Sequence, residues 1–127
     1  MPTNIRVIHA HDLIKATPDG QLDLNMVKEV LKEIASVSSP LSSFDVLVDT
    51  RKTQTTLSVT NLWYIAAELS DLGKPHSRKT AVLCPLEHFD LAEFFALCAP
   101  NRGLRVNAFT SFETAMEWLI EEKIDTK

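Results

Sequence analysis

The sequence predicts an α/β fold in which helices pack on a mixed sheet of four to five strands. Three observations lead to this class. Short segments rich in β-branched residues alternate with segments of helix length, apolar residues make up 45% of the chain, and charged residues make up 24%. The composition is that of globular proteins, and a length of 127 residues predicts a single domain over residues 1–127. The predicted order of elements is ββαβαβαβα.

The chain opens with two predicted strands. Residues 5–10 (IRVIHA) are β-branched and alternate in polarity, and residues 13–16 form a second short apolar segment, so we expect a hairpin. Residues 17–20 (TPDG) have turn chemistry and predict a loop. From Asp23 or Asn25 onward, apolar residues recur at three- and four-residue spacing, which predicts an amphipathic helix.

The middle of the chain contains the strand with the strongest signal. Residues 44–50 (FDVLVDT) are apolar on both faces, which predicts a central position in the sheet. A polar run over residues 51–56 follows, and Ser58 is the predicted N-cap of a helix that ends near Gly73. Residues 79–84 (KTAVLC) predict the next buried strand.

The last third of the chain predicts a helix, a strand and a helix. Asp90 and Glu93 have the spacing of a capping box before a strongly apolar helix. Residues 104–109 (LRVNAF) predict the final strand, and residues 110–113 (TSFE) predict the start of a last helix by the same capping logic. Helical crossovers between strands imply a partly parallel sheet, and the opening hairpin makes the sheet mixed.

In sheets of this class, ligands usually meet the loops at the carboxyl ends of the strands. Those loops are predicted at residues 50–58, at residues 84–90, and at Thr110 and Ser111. We therefore expect function at this edge of the sheet.

Charge and patterning exclude several classes of function. Thirteen Lys and Arg against seventeen Asp and Glu give a formal net charge of −4, which argues against nucleic-acid binding. No apolar run is long enough to span a bilayer and no leader pattern opens the chain, so we expect a cytoplasmic protein that does not span the membrane. The sequence contains no GxGxxG and no P-loop, and we expect no cofactor.

Two groups of residues invite a chemical interpretation. His9 and His11 have the spacing that would put both rings on one face of a strand, but two ligands do not make a metal site, and we expect none. Cys84, His88 and Asp90 lie in one predicted loop and suggest a nucleophile with its base. Because proximity in sequence is not proximity in space, we expect no enzyme and keep a hydrolase only as a third alternative.

Three stretches of the chain resemble the STAS superfamily of sulfate transporters and anti-sigma factor antagonists: FDVLVDT, LSVTNLWYIAAEL and LRVNAFTSFETAMEWLIEE. They are most similar to a divergent, sporulation-anti-anti-sigma-like (SpoIIAA-like) branch of bacterial proteins. The tail carries that branch's ending in Phe109, Thr110, Glu113, Trp118 and Leu119. The resemblance implies a non-enzymatic regulatory domain that acts by binding a protein partner.

The resemblance also implies a role for Ser58, which lies where partner-switching members carry a phosphorylatable serine. A phosphate there would add about −1.5 to −2 charge at the positive end of a helix dipole. The family motif has an aspartate before this serine and a glycine soon after it, whereas this chain has Leu57 and Thr60. An ordinary N-cap is the alternative interpretation of Ser58.

The STAS fold is similar to the lipid-binding CRAL-TRIO domain, which implies a second function, binding of a small apolar ligand or lipid beneath the third predicted helix. The neighbours Trp63 and Tyr64 cannot both face one core, so exposed aromatic surface is expected, and a homodimer is left open. The predicted partner or ligand surface combines strand-end, helix-start and aromatic residues: Asp49, Thr50, Arg51, Ser58, Asn61, Trp63, Tyr64, Phe89, Leu91, Phe94 and Phe95.

Overall fold

A mixed five-stranded sheet forms the centre of the fold in the computed structural model. The structure describes residues 3–38, 44–55, 57–58, 60–61, 64–65, 79–98 and 105–124. The described strands are β1 (Thr3–Ile8), β2 (Leu13–Pro18), β3 (Gly20–Leu22), β4 (Asp45–Asp49), β5 (Thr53–Thr55), β6 (Lys79–Leu83) and β7 (Arg105–Phe109). The described helices are α1 (Leu24–Ser38), α2 (Phe89–Cys98) and α3 (Phe112–Ile124).

The main sheet has the order β1-β2-β4-β6-β7. β1 and β2 are antiparallel, as the predicted hairpin requires, and β2, β4, β6 and β7 run parallel. β4 lies in the middle, and its residues are buried except for the half-buried Val48, which confirms the central position predicted from apolarity on both faces. We call the side where the parallel strands end the strand-end edge, and the side where they begin the amino edge.

A second, two-stranded sheet pairs β3 with β5 in parallel. The prediction of a loop over residues 17–20 is therefore wrong in part, and the polar run over residues 51–56 contains a strand that the sequence did not predict. Both strands are three residues long and mostly polar, so neither shows the periodicity that identifies a strand. Gly20 has a φ of +96°, which only glycine adopts readily, and its N–H lies 3.4 Å from the Lys52 carbonyl.

Three of the four predicted helix starts follow capping chemistry, and the cap at Ser58 is described with the candidate site below. The Asp23 carboxylate accepts the Met26 N–H at 2.9 Å and begins α1. The Ser111 hydroxyl lies 3.5 Å from the Thr114 N–H and begins α3. Asp90 is not an N-cap, because a 3-10 turn over Leu86–His88 leads directly into α2 at Phe89.

The first strand has the predicted length but lies two residues earlier in the chain, at Thr3–Ile8, because His9–His11 form a 3-10 turn rather than the end of β1. The premise that His9 and His11 share one face of a strand is therefore wrong. Asp12 then takes the left-handed conformation, with a φ of +50°, to enter β2. The described residues contain no group of three or more His, Cys, Asp or Glu side chains that could hold a metal ion.

Both faces of the main sheet are covered. On one face α3 contributes Ala115 and Leu119 to a cluster with the strand residues Leu13, Leu47, Ala81 and Leu83. On the other face α1 packs on the sheet, and Ile65 anchors a cluster that includes side chains of α1, α2, β6 and β7. None of the helices within the described ranges has both the length and the apolarity of a membrane span.

Candidate functional site

The strand-end edge is organised around a tight turn that follows β4. Thr50 donates to the Leu83 carbonyl twice, from its N–H at 2.7 Å and from its hydroxyl at 3.0 Å. Its own carbonyl accepts from Thr53, from the N–H at 3.0 Å and from the hydroxyl at 2.7 Å. Thr53 is buried. These bonds fix the turn to β6 on one side and across itself on the other, and so hold the backbone from Thr50 to Thr53 in place.

Asp49 and Arg51 form a two-pronged ion pair within this turn. Arg51 Nε donates to Asp49 Oδ1 at 3.0 Å and Arg51 Nη2 to Asp49 Oδ2 at 2.9 Å, and the Arg51 N–H adds a bond of 3.1 Å to Oδ1. The Asp49 side chain is 8% exposed and the Arg51 side chain 44%. The carboxylate is thus the inner half of the pair, and the guanidinium is held at the surface.

Ionisation of Asp49 follows from this geometry. Burial alone would raise the pKa of the Asp49 carboxyl, but the hydrogen bonds and charge of Arg51, with a smaller contribution from Lys15, hold its pKa below the ordinary value of 3.8. Asp49 is therefore a carboxylate at neutral pH. Its role in the turn is to orient Arg51 rather than to exchange protons.

Ser58 and Asn61 cap each other at the start of the helix that follows β5. The Asn61 N–H donates to Ser58 Oγ at 3.1 Å, and the Ser58 N–H donates to Asn61 Oδ1 at 3.0 Å. This reciprocal pair has the form of a capping box with asparagine in the third position. Ser58 is exposed, so capping and access from solvent coexist at its hydroxyl. Phosphorylation of Ser58 stays a prediction.

Cys84 lies directly after β6, with its N–H donating to the Phe109 carbonyl at 3.0 Å and Sγ 3.6 Å from the same oxygen. Burial raises the pKa of its thiol to about 11. Reactive cysteines have a lowered pKa and partial exposure, and Cys84 has neither. The thiol acts as a weak donor inside the fold, which argues against the nucleophile suggested by its proximity to His88.

The predicted aromatic surface is described only in part. Tyr64 is 42% exposed, and its ring centroid lies 5.0 Å from Lys28 Nζ of α1. Phe89 is half-buried, and Phe94 is half-buried against the Ile65 cluster. The remaining members of the predicted surface lie outside what the structure describes: Trp63 entirely, and Leu91 and Phe95 in their side chains.

Two exposed apolar residues at the strand-end edge are absent from the sequence prediction. Leu86 is 77% exposed and Phe112 is 39% exposed. Lys15 Nζ lies 5.3 Å from the centroid of the Phe112 ring. The sequence could have indicated both residues, because each is a large apolar residue within three positions of the end of a predicted buried strand.

A buried polar cluster at the amino edge was also missed. Lys79 is 2% exposed, and its N–H donates to Asp45 Oδ1 at 2.8 Å. Its Nζ donates to the carbonyls of Trp118 at 3.0 Å and Leu119 at 2.7 Å, and lies 5.2 Å from the centroid of the Trp118 ring. These contacts join β4, β6 and α3. Because they lie opposite the strand-end loops, we assign them to the scaffold rather than to the site.

Comparison with known proteins informs the fold alone. No family model matches the chain, and no curated protein matches its sequence. Among solved structures, the chain is similar to an uncharacterised protein of the DUF3478 family from Shewanella loihica, described as having a SpoIIAA-like fold. The similarity covers 92% of this chain and 91% of that chain, with a TM-score of 0.58 and 14% sequence identity. The chain therefore has the SpoIIAA-like fold that its resemblance to the STAS superfamily implied.

Proposed function

We propose that this chain is a non-enzymatic, cytoplasmic regulatory domain that acts by binding a protein partner. The proposed contact surface runs from Thr50 to Asn61 and continues onto the helix that begins at Ser58. The observation that carries the proposal is Tyr64, an aromatic side chain 42% exposed on that helix. Large aromatic side chains left at the surface are typical of contact sites, because they bury much area at little entropic cost.

Two features of the surface support recognition of a protein. Thr60 and Tyr64 are both exposed and are spaced four residues apart, so they share the outer face of the helix. The backbone of the preceding turn is fixed by the hydrogen bonds of Thr50 and Thr53, and the Arg51 guanidinium on it is bound to the Asp49 carboxylate. A surface that is ordered before binding loses less entropy when a partner docks.

Removal of the Tyr64 ring tests this proposal. In cross-linked, tagged protein purified from its native cells, a stoichiometric partner should be retained by the wild type and lost with Tyr64→Ser. Ala10→Ser is the matched control, because Ala10 is exposed at the opposite edge of the sheet. If no stoichiometric partner is recovered, or if Tyr64→Ser and Ala10→Ser retain it equally, the proposal is wrong.

Regulation through Ser58 is tested by two substitutions that both preserve the cap. Asp and Asn are equally good N-cap residues, but only Asp adds a negative charge. If a phosphate on Ser58 controls binding, Ser58→Asp should release the partner and Ser58→Asn should retain it. Equal binding by both variants, with no phosphate on Ser58 by mass spectrometry in any growth phase, would remove the regulatory part of the proposal.

A second candidate function is carriage of a small apolar ligand beneath α2, and the half-buried Phe89 and Phe94 favour it. Phe94 already contacts the Ile65 cluster, so a ligand in this place would displace a packed side chain. Native mass spectrometry of the protein purified without detergent should then show a bound mass that solvent extraction releases. Failure to load the protein with fatty acids, phospholipids and sterols would exclude this candidate.

A further inference from the structure

We propose that the outer side of β1, the side away from β2, accepts an extended acidic segment of a protein partner as an added strand. β1 lies at the end of the main sheet, and within the described ranges its one neighbouring strand is β2. A strand at the end of a sheet leaves alternate N–H and C=O groups unpaired, and these groups can pair with another chain. The site shares no residue with the surface around Tyr64 and does not depend on the function proposed for that surface.

The register of the sheet identifies the outward groups of β1. The Asp45 N–H donates to the Asp12 carbonyl, so the even-numbered residues of β2 bond to β4 and its odd-numbered residues bond to β1. Each odd-numbered residue of β2 lies opposite an even-numbered residue of β1, and these pairs exchange their hydrogen bonds. The N–H and C=O groups of Ile5 and Val7 therefore point to the outer side.

At the opposite end of the main sheet, the outer side of β7 is blocked in part by one of its own side chains. The Cys84 N–H donates to the Phe109 carbonyl, so alternate residues of β7 bond to β6 and the Ala108 N–H points outward. Asn107 Oδ1 accepts that N–H at 3.0 Å. An added strand would have to displace the Asn107 side chain, whereas no side chain of the described residues caps the outward N–H groups of β1.

The charge on β1 indicates what kind of segment fits beside it. Arg6 is exposed and lies directly opposite Lys15 of β2, and like charges in that position destabilise a sheet. Among the described residues, no carboxylate lies within ion-pair distance of the Arg6 guanidinium. A carboxylate on an added strand, placed beside Arg6, would offset this repulsion. The partner segment is therefore expected to carry Asp or Glu at that position.

The two faces of β1 set the pattern of the segment. Ile5 and Val7 are half-buried and pack against the apolar cluster on the α1 face, which includes Ile14 and Val46. Arg6 points to the opposite face, because side chains alternate along a strand. In antiparallel pairing, residues that lie opposite each other share a face. The segment that fits thus alternates apolar residues with Asp or Glu.

A second copy of this chain fits the outer side of β1 less well. Antiparallel pairing of β1 with its own copy would bring the Arg6 and Lys15 side chains of both copies to one face of the joint sheet. Four positive charges would then lie close together, which adds to the repulsion already present between the two strands. The geometry therefore favours a partner segment that carries carboxylates.

A short blocked peptide of alternating valine and glutamate tests the site, and a peptide of alternating valine and lysine is its control. In a titration of the nitrogen-15-labelled chain followed by NMR, the glutamate peptide should shift the amides of Ile5 and Val7 and leave that of Ala108 unchanged. The lysine peptide should bind about tenfold more weakly, because it repels Arg6. Methylation of the valine nitrogens of the glutamate peptide should abolish binding, since these N–H groups face β1 in the antiparallel pairing.

Variants of the chain test the same contact from its other side. Arg6→Glu should weaken binding of the glutamate peptide by about tenfold, and Lys52→Glu, which makes the same change of charge outside β1, should bind as the wild type does. Val7→Pro removes an outward N–H but no bond to β2, so it should lose the peptide and keep the circular dichroism of the fold.

Three results would overturn the inference: no binding of the glutamate peptide below about 10 mM, equal binding of the two peptides, or binding that survives methylation of the valine nitrogens. Reversible dimerisation of the chain through β1, detected as shifts of the Ile5 and Val7 amides with protein concentration alone, would overturn it as well. None of these results bears on the partner proposed above, whose test depends on Tyr64.

Discussion

The two ends of β4 each carry a buried aspartate, and the two differ in where their partners come from. Asp45, 3% exposed at the amino edge, accepts from Lys79, 34 positions along the chain. Asp49, buried at the strand-end edge, binds Arg51, only two positions away. The contact of Asp45 thus ties distant elements together at the amino edge, while the contact of Asp49 is local and keeps a cation at the surface of the strand-end edge.

This difference separates scaffold from site. The Asp45 and Lys79 cluster joins two strands to α3 and lies in the interior, where any change is transmitted to the packing of the whole fold. The Asp49 and Arg51 pair closes a short turn, so its loss should disturb little beyond that turn. The strand-end edge can therefore vary its surface chemistry at small cost in stability, which is what a binding surface requires.

The largest effect is expected at Lys79. Lys79→Ala removes a buried ammonium that donates to two carbonyls of α3, together with a side chain that covers the Trp118 ring. Hydrogen bonds from charged groups contribute about 1.5–3 kcal/mol, and the lost packing adds to this, so the free energy of unfolding should fall by about 3 kcal/mol. Urea unfolding followed by circular dichroism measures this change.

Lys79→Met is the matched variant, because it keeps an unbranched stem and removes only the charge and its donors. We expect its free energy of unfolding to lie between those of the wild type and Lys79→Ala. If Lys79→Ala unfolds within about 0.5 kcal/mol of the wild type, as surface substitutions do, the distinction between the two edges is wrong.

A smaller, pH-dependent effect is expected at Arg51. Because Arg51 keeps the pKa of Asp49 below 3.8, the folded state binds a proton on the Asp49 carboxylate less tightly than the unfolded chain does. The contribution of the Asp49 and Arg51 pair to the free energy of unfolding is complete well above pH 3.8, and it is lost as the pH falls through the lowered pKa of Asp49. Because the Arg51 side chain is 44% exposed, solvent screens the pair, and Arg51→Gln should cost about 1 kcal/mol of the free energy of unfolding at pH 7 and less as the pH approaches 3.

Urea unfolding of both proteins at pH 7, 5 and 3 measures that difference. Arg51→Lys is the control, because it keeps the charge but loses the two-pronged geometry, and it should recover part of the loss. A difference between wild type and Arg51→Gln that stays constant across this range would contradict the assigned role of Asp49.

The sequence predicted the main sheet because its strands are short apolar runs whose burial follows from their own residues. FDVLVDT is apolar on both faces, and β4 is central. β3 and β5 were missed because their pairing joins Gln21 to Gln54, two polar residues whose proximity depends on the whole fold. Asp45 and Lys79 lie at the beginning of two strands that were both predicted to be buried. This shared position was the one feature of the sequence that indicated a contact between them.

The candidate site was predictable in its location and less so in its residues. The strand-end rule pointed to the loop from Thr50 to Ser58, and the structure places the fixed turn there. Leu86 and Phe112 were missed because apolar residues next to buried strands are normally counted with the core. Their exposure depends on how the chain turns after β6 and β7, which local sequence does not reveal.

The smallest effects are expected at the two serine caps of the strand-end edge. Ser58 accepts the Asn61 N–H at 3.1 Å and is capped in return, whereas Ser111 Oγ lies 3.5 Å from the Thr114 N–H and donates to Glu113 at 3.2 Å. Ser58→Ala should therefore cost about 1 kcal/mol and Ser111→Ala about 0.5 kcal/mol in the free energy of unfolding. Ser58→Asn should restore the wild-type value, because it replaces the acceptor. If Ser111→Ala lowers the free energy of unfolding more than Ser58→Ala does, the geometry of the caps does not govern stability at the strand-end edge. The local hydrogen bonds of this edge then contribute less than their lengths imply.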